Sequence, residues 1–248
     1  MRTYATAQLI GTRSTQCDAT AVYTTPTGAR AYALLDGIGS DKSIREWTRT
    51  AARRLARTAA RCGNAETGLR RVYDHYAADP ERQDEYMRQY MPSAAAVVAV
   101  TAPGQPLTLA WSGDSRAYLL DRGIAARLTD DHNLRRIFPP TATNPHSGNR
   151  NVITSYLGNT FTDEEATNHY NHPAIETKTV RIKRPVRLLL ASDGAYEPHE
   201  DARHDLYAEL DLDSPAEAAR DFVRLAVDTS LDLDGRADNA TVLLADLH

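Results

Sequence analysis

The sequence has few cysteines, no long apolar run and no signal-peptide pattern. Its 248 residues include only two cysteines, Cys17 and Cys62, and nothing in their positions indicates a disulfide framework. The longest wholly apolar stretch, residues 94–100, is far too short to cross a bilayer. The amino-terminal residues lack the apolar segment of a secretory signal. We therefore expect a cytoplasmic protein with no membrane partner.

The sequence also lacks a basic block flanked by aromatic residues and a linker rich in glycine, serine or proline. The formal net charge is −4, so the sequence does not favour a nucleic-acid partner. The arginine-rich segment 52–61 is interpreted as the solvated polar face of a helix. Without a linker, we expect residues 1–248 to form a single domain that is long enough to bury a large core. The sequence leaves the oligomeric state open.

What the sequence contains is a series of short apolar runs interrupted by helical patterns. Strands are predicted at 3–10, 19–25, 31–35, 94–101, 106–113, 115–120, 124–129, 175–182, 186–192 and 240–247. Helices are predicted at 42–62, 65–78, 81–91 and after the capping box that starts at Ser214, whereas 138–150 and 158–174 are predicted to be irregular. This order predicts an α+β fold with two antiparallel sheets packed as a sandwich and flanked by helices on both sides.

Three aspartates stand beside buried strands. Asp36 and Asp193 end apolar runs and precede glycine, and Asp238 lies just before the final run. Asp-Gly and Asp-Asn pairs are also ordinary turn sequences, so spacing alone leaves a structural role open. Carboxylates gathered at strand ends would instead repel one another unless cations lay between them. Mg²⁺ and Mn²⁺ prefer such oxygen ligands, and the backbone of Gly37 could add a carbonyl oxygen.

The order of the motifs carries a family resemblance. The chain resembles the bacterial-type members of the metal-dependent type 2C protein serine/threonine phosphatases over almost its whole length, through GTRSTQCDA (11–19), ALLDGIG (33–39), WSGDSRAYLLDRGIAARLTDDHNL (111–134), NVITSYLG (151–158), LLLASDGAYEP (188–198) and ADNATVLLADL (237–247). The resemblance implies hydrolysis of phosphoserine and phosphothreonine esters on a phosphorylated protein substrate by a metal-activated water.

The resemblance also implies a metal role for five residues. Asp36 would bridge two Mn²⁺ or Mg²⁺ ions, and the Gly37 carbonyl would bind one of them. Asp193 and Asp238 would complete the ligands of the other ion, and Asp114 would bind a weaker third ion. Hard oxygen donors of this kind suit both metals.

Three further residues receive roles from the same resemblance. Arg13 corresponds to the arginine that holds phosphate, for which a guanidinium fork is suited. Asp18 corresponds to the acidic residue that supports metal-bound water. Asn239 is expected to orient Asp238 and not to react.

The chain departs from the family pattern at several positions. Cys17 stands where an acidic residue normally precedes the aspartate aligned with Asp18, and a thiol is a poor ligand for Mg²⁺ or Mn²⁺. Ile38 occupies the position of a histidine in animal members, and residues 138–150 replace a longer flap. These departures motivate an alternative hypothesis: a catalytically weak or inactive relative that binds a phosphoprotein or a regulatory partner.

The histidines admit more than one interpretation. The spacing of His169 and His172 could suggest zinc, but no cysteine or acidic cluster with metal-finger spacing accompanies them, so they are predicted to be solvated loop residues. His132 is predicted to make structural hydrogen bonds near the site.

Overall fold

Two five-stranded antiparallel sheets form the centre of the molecule. The structure, a computed structural model, describes residues 3–248. The strands of this part are β1 (Tyr4–Leu9), β2 (Ala19–Thr24), β3 (Arg30–Gly37), β4 (Ala94–Thr101), β5 (Leu107–Ser112), β6 (Arg116–Asp121), β7 (Ile124–Arg127), β8 (Glu176–Val180), β9 (Val186–Ala191) and β10 (Ala240–Leu247). The first sheet has the order β1-β10-β9-β6-β7 and the second β2-β3-β4-β5-β8. The predicted strands are confirmed, with ends that differ by at most a few residues.

Helices cover the outer face of each sheet. In residues 3–248 they are α1 (Lys42–Cys62), α2 (Ala65–Ala77), α3 (Pro80–Gln83), α4 (Glu85–Arg88), α5 (Leu134–Ile137), α6 (Asp163–Tyr170), α7 (Asp193–Asp201), α8 (Leu206–Leu210) and α9 (Pro215–Asp234). Helices α1 and α2 pack on the second sheet, and α7 and α9 pack on the first. No helix within these residues is long and apolar enough to span a membrane.

The alternation of side chains along each strand separates the core into layers. On β3, Tyr32 and Leu34 point into the space between the sheets, whereas Ala33 and Leu35 pack under α1. This period of two is what a strand buried on both faces requires. The predicted α+β sandwich of two sheets between helices is therefore confirmed.

Helix α1 shows how local sequence fixes an element. The Asp41 side chain accepts hydrogen bonds from the backbone N–H groups of Ser43 and Ile44, and Gly63 ends the helix with φ 62°. Between them, Leu55 and the neighbouring alanines are buried against the sheet. The prediction of a helix over 42–62 is confirmed.

One prediction about an irregular segment is wrong, and the structure decides one alternative that the sequence left open. Residues 158–174 contain α6, which a capping box between Thr162 and Glu165 begins. The Asp193-Gly194 pair does not form a hairpin turn, because Asp193 is the first residue of α7. A carboxylate is favourable at that position since the helix dipole is positive there. Helix α8 was likewise not predicted.

Candidate active site

One cavity lies where several strand ends meet. β9 and β10 are antiparallel neighbours, so the end of β9 lies beside the start of β10. The segments that follow β3 and β5 reach the same place. The cavity has a volume of about 540 Å³, and the predicted site residues that line it are Arg13, Asp36, Gly37, Asp114, Asp193, Asp238 and Asn239.

Three carboxylates of this cavity, those of Asp36, Asp114 and Asp193, form no ion pair within residues 3–248. Burial, together with the charges of Asp18, Asp193 and Asp114, raises the pKa of Asp36 well above its ordinary value. Burial and the charge of Asp193 do the same to the pKa of Asp114. The pKa of Asp193 is also raised, by burial and by Asp238. Carboxylates from distant parts of the chain therefore lie close enough in this cavity to repel one another.

Asp18 lies behind the cavity, and neither of its carboxylate oxygens has a hydrogen-bond partner among residues 3–248. It is 2% exposed, and both of its oxygens are buried and unpaired. Burial raises its pKa to about 7, and the nearby hydroxyls of Thr241 and Ser192 only partly offset that effect without completing a hydrogen bond of normal geometry. One carboxylate oxygen of Asp114, Oδ1, is buried and unpaired as well. Native proteins seldom leave such groups without a partner.

Asp238 is the exception, because it is paired. The guanidinium Nη2 of Arg13 donates a hydrogen bond to Asp238 Oδ2 at 2.5 Å, and this bond raises the pKa of Arg13. The side chains of Arg13 and Asp238 are 46% and 40% exposed, so the pair lies at the open side of the cavity. The arginine predicted to hold phosphate thus contacts a residue predicted to hold metal.

Asn239 connects two segments of the site. Its Oδ1 accepts a hydrogen bond from the backbone N–H of Cys17 at 2.7 Å, and its Nδ2 donates to the carbonyl of Ile10 at 2.9 Å. These bonds fix the loop between β1 and β2 against the start of β10. The contacts are those of a positioning residue.

Glycine is needed at two positions of the site because backbones approach closely. A Cβ on Gly37 would lie 2.6 Å from the Cys17 carbonyl oxygen and 2.8 Å from Thr48 Oγ1. A Cβ on Gly194 would lie 2.3 Å from the carbonyl oxygen of Asn239. All three distances are shorter than real Cβ contacts allow. Cys17 therefore contributes through its backbone, and its buried thiol donates a hydrogen bond to the carbonyl of Asp41 at 3.6 Å.

The residues suit divalent cations by donor type and by charge. Among residues 3–248, no three His, Cys, Asp or Glu side chains are already arranged to hold one ion together. The cavity nevertheless presents hard oxygen donors, and the unpaired oxygens of Asp18 and Asp114 lie in an environment that a cation would neutralise. We conclude that Mn²⁺ or Mg²⁺ fits the chemistry of the donors.

Two residues of the cavity were missed by the sequence analysis. Glu197 lies one helical turn after Asp193 on α7 and lines the same cavity. Its pKa is raised to about 8 by burial and by Asp193. Arg150 contacts Glu197 at 3.0 Å and Asp201 at 2.7 Å. The four-residue spacing of Asp193 and Glu197 would have indicated Glu197 if α7 had been predicted as a helix.

A second polar cluster supports the turn that carries Asp114. The backbone N–H of Gly113 donates to Nδ1 of His132 at 3.3 Å, and the Gly113 carbonyl accepts from the His132 backbone N–H at 3.1 Å. The Nε2 of His132 lies 3.0 Å from Glu176 Oε2, and Arg136 donates two further bonds to Glu176. The structural role predicted for His132 is confirmed.

His172 belongs to this cluster, which corrects its prediction as a solvated loop residue. It is 2% exposed, its ring stacks on His132 at 4.2 Å between centroids, and its Nε2 lies 2.8 Å from Thr154 Oγ1. His169, in contrast, is exposed on α6. The short polar segment 171–175 folds back onto the sandwich, which hydropathy alone does not reveal.

Comparisons with known proteins agree with the motifs. Residues 29–137 match the sequence model of the protein phosphatase 2C family, and a search of curated proteins found no match. The segment 29–137 includes Asp36, Gly37 and Asp114, whereas Asp193 and Asp238 lie beyond it.

The fold resembles solved bacterial phosphatases over nearly the whole chain. A PPM serine/threonine phosphatase from Mycobacterium smegmatis, solved in complex with cacodylate, has a TM-score of 0.68 and 23% identity over 99% of this chain and 98% of its own. A serine/threonine phosphatase from S. agalactiae has a TM-score of 0.71 and 18% identity, with 97% of each chain covered. The serine/threonine phosphatase Stp1 from Staphylococcus aureus has a TM-score of 0.70 and 21% identity over 100% of this chain and 96% of its own.

These findings confirm the relationship that the motifs predicted. Residues 29–137 match the protein phosphatase 2C model, and the fold is that of the solved bacterial serine/threonine phosphatases.

Proposed function

We propose that the chain, acting as a single domain in the cytoplasm, hydrolyses phosphoserine and phosphothreonine esters on proteins with the help of Mn²⁺ or Mg²⁺. The observation that carries this proposal is the gathering of carboxylates at one cavity. The pKa values of Asp36 and Asp114 are raised well above their ordinary value, and buried oxygens of Asp114 and of the adjacent Asp18 are unpaired. A cavity that binds cations and opens to solvent can bring a phosphate ester to them.

Within this proposal, the metal ligands are Asp36, the carbonyl of Gly37, Asp193 and Asp238, for two ions, with Asp114 holding a weaker third. Bound divalent cations would neutralise the charge of the phosphate oxygens and lower the pKa of a bound water. Asp18 contributes two acceptor oxygens that would orient water within the site, since no protein donor occupies them.

Arg13 is proposed to bind the phosphoryl group. Its guanidinium lies at the open side of the cavity and is held there by Asp238 through Nη2. The remaining N–H groups of the fork could donate to two phosphate oxygens, because the planar geometry favours bidentate contacts. Arg13 would thereby orient the ester and stabilise the charge that develops during its hydrolysis.

The alternative function is a weak or inactive relative that binds a phosphoprotein or a regulatory partner. Cys17 and Ile38 motivate it, because both replace residues that the family uses near the metals. The contacts of Cys17 weaken this alternative: its backbone N–H donates to Asn239 Oδ1, its carbonyl oxygen lies where a side chain at position 37 would clash, and its thiol is buried away from solvent.

The proposal is tested by phosphate release from p-nitrophenyl phosphate and from a phosphoserine peptide as Mn²⁺ is titrated. We expect Mn²⁺-dependent turnover of both compounds and its loss in Asp193→Asn. Asp205→Asn, which changes an exposed carboxylate that caps α8 outside the cavity, is the matched control and should retain turnover. Binding of the phosphopeptide with no turnover at any Mn²⁺ concentration would favour the alternative.

A further inference from the structure

Four exposed arginines form a row along the outer side of α1. Arg49, Arg53, Arg57 and Arg61 follow one another at intervals of four residues, and all four are exposed. Residues with this spacing lie side by side on a helix, about 6 Å apart, so the row is about 18 Å long. We call this row the basic ridge. None of its residues lines the cavity of the candidate active site.

The charge of α1 is not balanced locally. The helix has seven basic residues and one acidic residue, Glu46, and therefore a net charge of +6 in a chain whose net charge is −4. Like charges four residues apart destabilise a helix, and the basic ridge repeats this arrangement three times in succession. A merely solvated helix face gains nothing from such a row.

The arginines of the basic ridge have no acidic partner within the fold, unlike nine other arginines of residues 3–248. Arg116, Arg150 and Arg187 each form an ion pair with an aspartate. The basic ridge forms no ion pair with any residue in 3–248. The guanidinium of Arg57 lies over the Tyr23 ring, 5.7 Å from its centroid, which limits its freedom before any partner arrives.

We propose that the basic ridge binds an acidic, extended segment of a partner protein. Charge complementarity requires an anionic partner, and side chains on one side of an extended peptide repeat about every 6.6–6.8 Å, close to the spacing of the arginines. An aspartate- or glutamate-rich segment of about six residues would span the row. This interaction is separate from hydrolysis of the phosphate ester.

Two other anionic partners fit the surface less well. A membrane-binding helix needs an exposed apolar face, but α1 buries its apolar face, and no large apolar side chain is exposed between Ile38 and Tyr86. Single-stranded nucleic acid binds through stacking on free aromatic rings, whereas the ring of Tyr23 already lies beneath Arg57.

The test is fluorescence anisotropy of a fluorescein-labelled peptide of about eight glutamates, a length that covers the row when extended. The ridge variant carries Arg49→Glu, Arg53→Glu and Arg57→Glu. The control variant carries Arg181→Glu, Lys183→Glu and Arg220→Glu, which changes the net charge equally at exposed positions outside α1. We expect salt-sensitive binding to the unaltered chain, a loss of about tenfold or more in the ridge variant and less than about twofold in the control.

Equal weakening in both variants, or no binding to the unaltered chain, would overturn the proposal. Tighter ridge-dependent binding of phosphatidylserine vesicles or of a single-stranded oligonucleotide would overturn the assignment of the partner as a protein. Circular dichroism checks folding. A second ridge variant with glutamine at the same three positions, which removes the repulsion within α1, must also lose binding. Both ridge variants should retain Mn²⁺-dependent phosphate release, so failure of this proposal is distinguishable from failure of the proposed function.

Discussion

Polar groups lie on both sides of the Gly113–Asp114 turn, but their charges are paired on one side and unpaired on the other. Behind the turn, the His132 ring contacts Glu176, and Glu176 accepts two hydrogen bonds from Arg136, so every charge has a partner. In front of it, the carboxylates of the cavity raise one another's pKa, and the oxygens of Asp18 are unpaired. The two clusters are built from similar residue types, yet only one of them is satisfied within the chain.

The difference distinguishes a structural cluster from a binding site. Burial of a polar group is costly unless it is hydrogen-bonded, and burial of several like charges is more costly still. The cluster of His132, Arg136 and Glu176, called the compensated cluster, recovers that cost through its own contacts. The cavity does not, so it retains a free energy that a bound cation can release.

The largest effect is expected from Asp36→Asn. Removal of this carboxylate should lower Mn²⁺-dependent phosphate release by about a thousandfold, since charge stabilisation at a catalytic centre is worth that much. The free energy of unfolding of the metal-free protein should not fall, because the amide removes a charge that repels its neighbours. Steady-state kinetics and urea unfolding measure the two quantities. Activity within about tenfold of the unaltered chain would contradict the role of Asp36.

The two clusters should respond to acid with opposite signs. Burial and His132 lower the pKa of His172 to about 4 from an ordinary value of 6.5. Between those values the unfolded chain binds the proton and the folded protein does not. The contribution of His172 to the free energy of unfolding, complete above pH 6.5, is therefore lost as the pH falls towards 4, by up to about 3 kcal/mol.

Asp18 behaves in the reverse manner in the metal-free protein. Its pKa is raised from 3.8 to about 7, so its contribution is complete below pH 3.8 and is lost as the pH rises through 7. Urea unfolding of the metal-free chain, of His172→Gln and of Asp18→Asn across this range measures both slopes. As the pH falls, the free energy of unfolding of His172→Gln should decrease less than that of the unaltered chain. The free energy of unfolding of Asp18→Asn should increase less over the same range. Curves that stay parallel would show that neither group titrates as described.

Glu176→Gln tests the compensated cluster itself. The substitution leaves Arg136 and His132 without their anion, so the free energy of unfolding should fall by about 2 kcal/mol. Glu164→Gln, at an exposed position on α6, is the control and should change it by less than about 0.5 kcal/mol. If both variants are equally stable, the contacts of Glu176 do not compensate its burial.

The smallest effect is expected from Cys17→Ser. Because Cys17 acts through its backbone and its thiol contacts Asp41, a hydroxyl can replace the sulfur, and the Mn²⁺ concentration for half-maximal activity should change by less than about twofold. A change of tenfold or more would show that the thiol takes part in metal binding.

Much of the fold could be predicted from periodicity. Helix α1 was predicted from apolar residues at helical spacing and a closing glycine, and β4 and β10 from continuous apolar runs. Helix α7 was missed because Asp193-Gly194 is also a turn sequence, and only the tertiary structure decides between the two. Helix α6 was missed although its capping box is present in the sequence.

The site was predictable in part for a similar reason. Asp36, Asp193 and Asp238 lie at the ends of predicted strands, so their positions could be inferred, and they do line one cavity. The pairing of Arg13 with Asp238 joins residues 225 positions apart in the chain, and no local pattern indicates it. The burial of His172 depends equally on a long-range contact, its stacking on His132. The catalytic and metal-binding roles of Arg13 and the aspartates stay predictions.

The most direct measurement is the anomalous X-ray scattering of manganese in crystals of the chain soaked with Mn²⁺. The account predicts peaks within coordination distance of the Asp36, Asp193 and Asp238 carboxylates. Peaks found only at exposed acidic residues such as those of α9, with Arg13 still paired to Asp238 and the cavity carboxylates untouched, would contradict it.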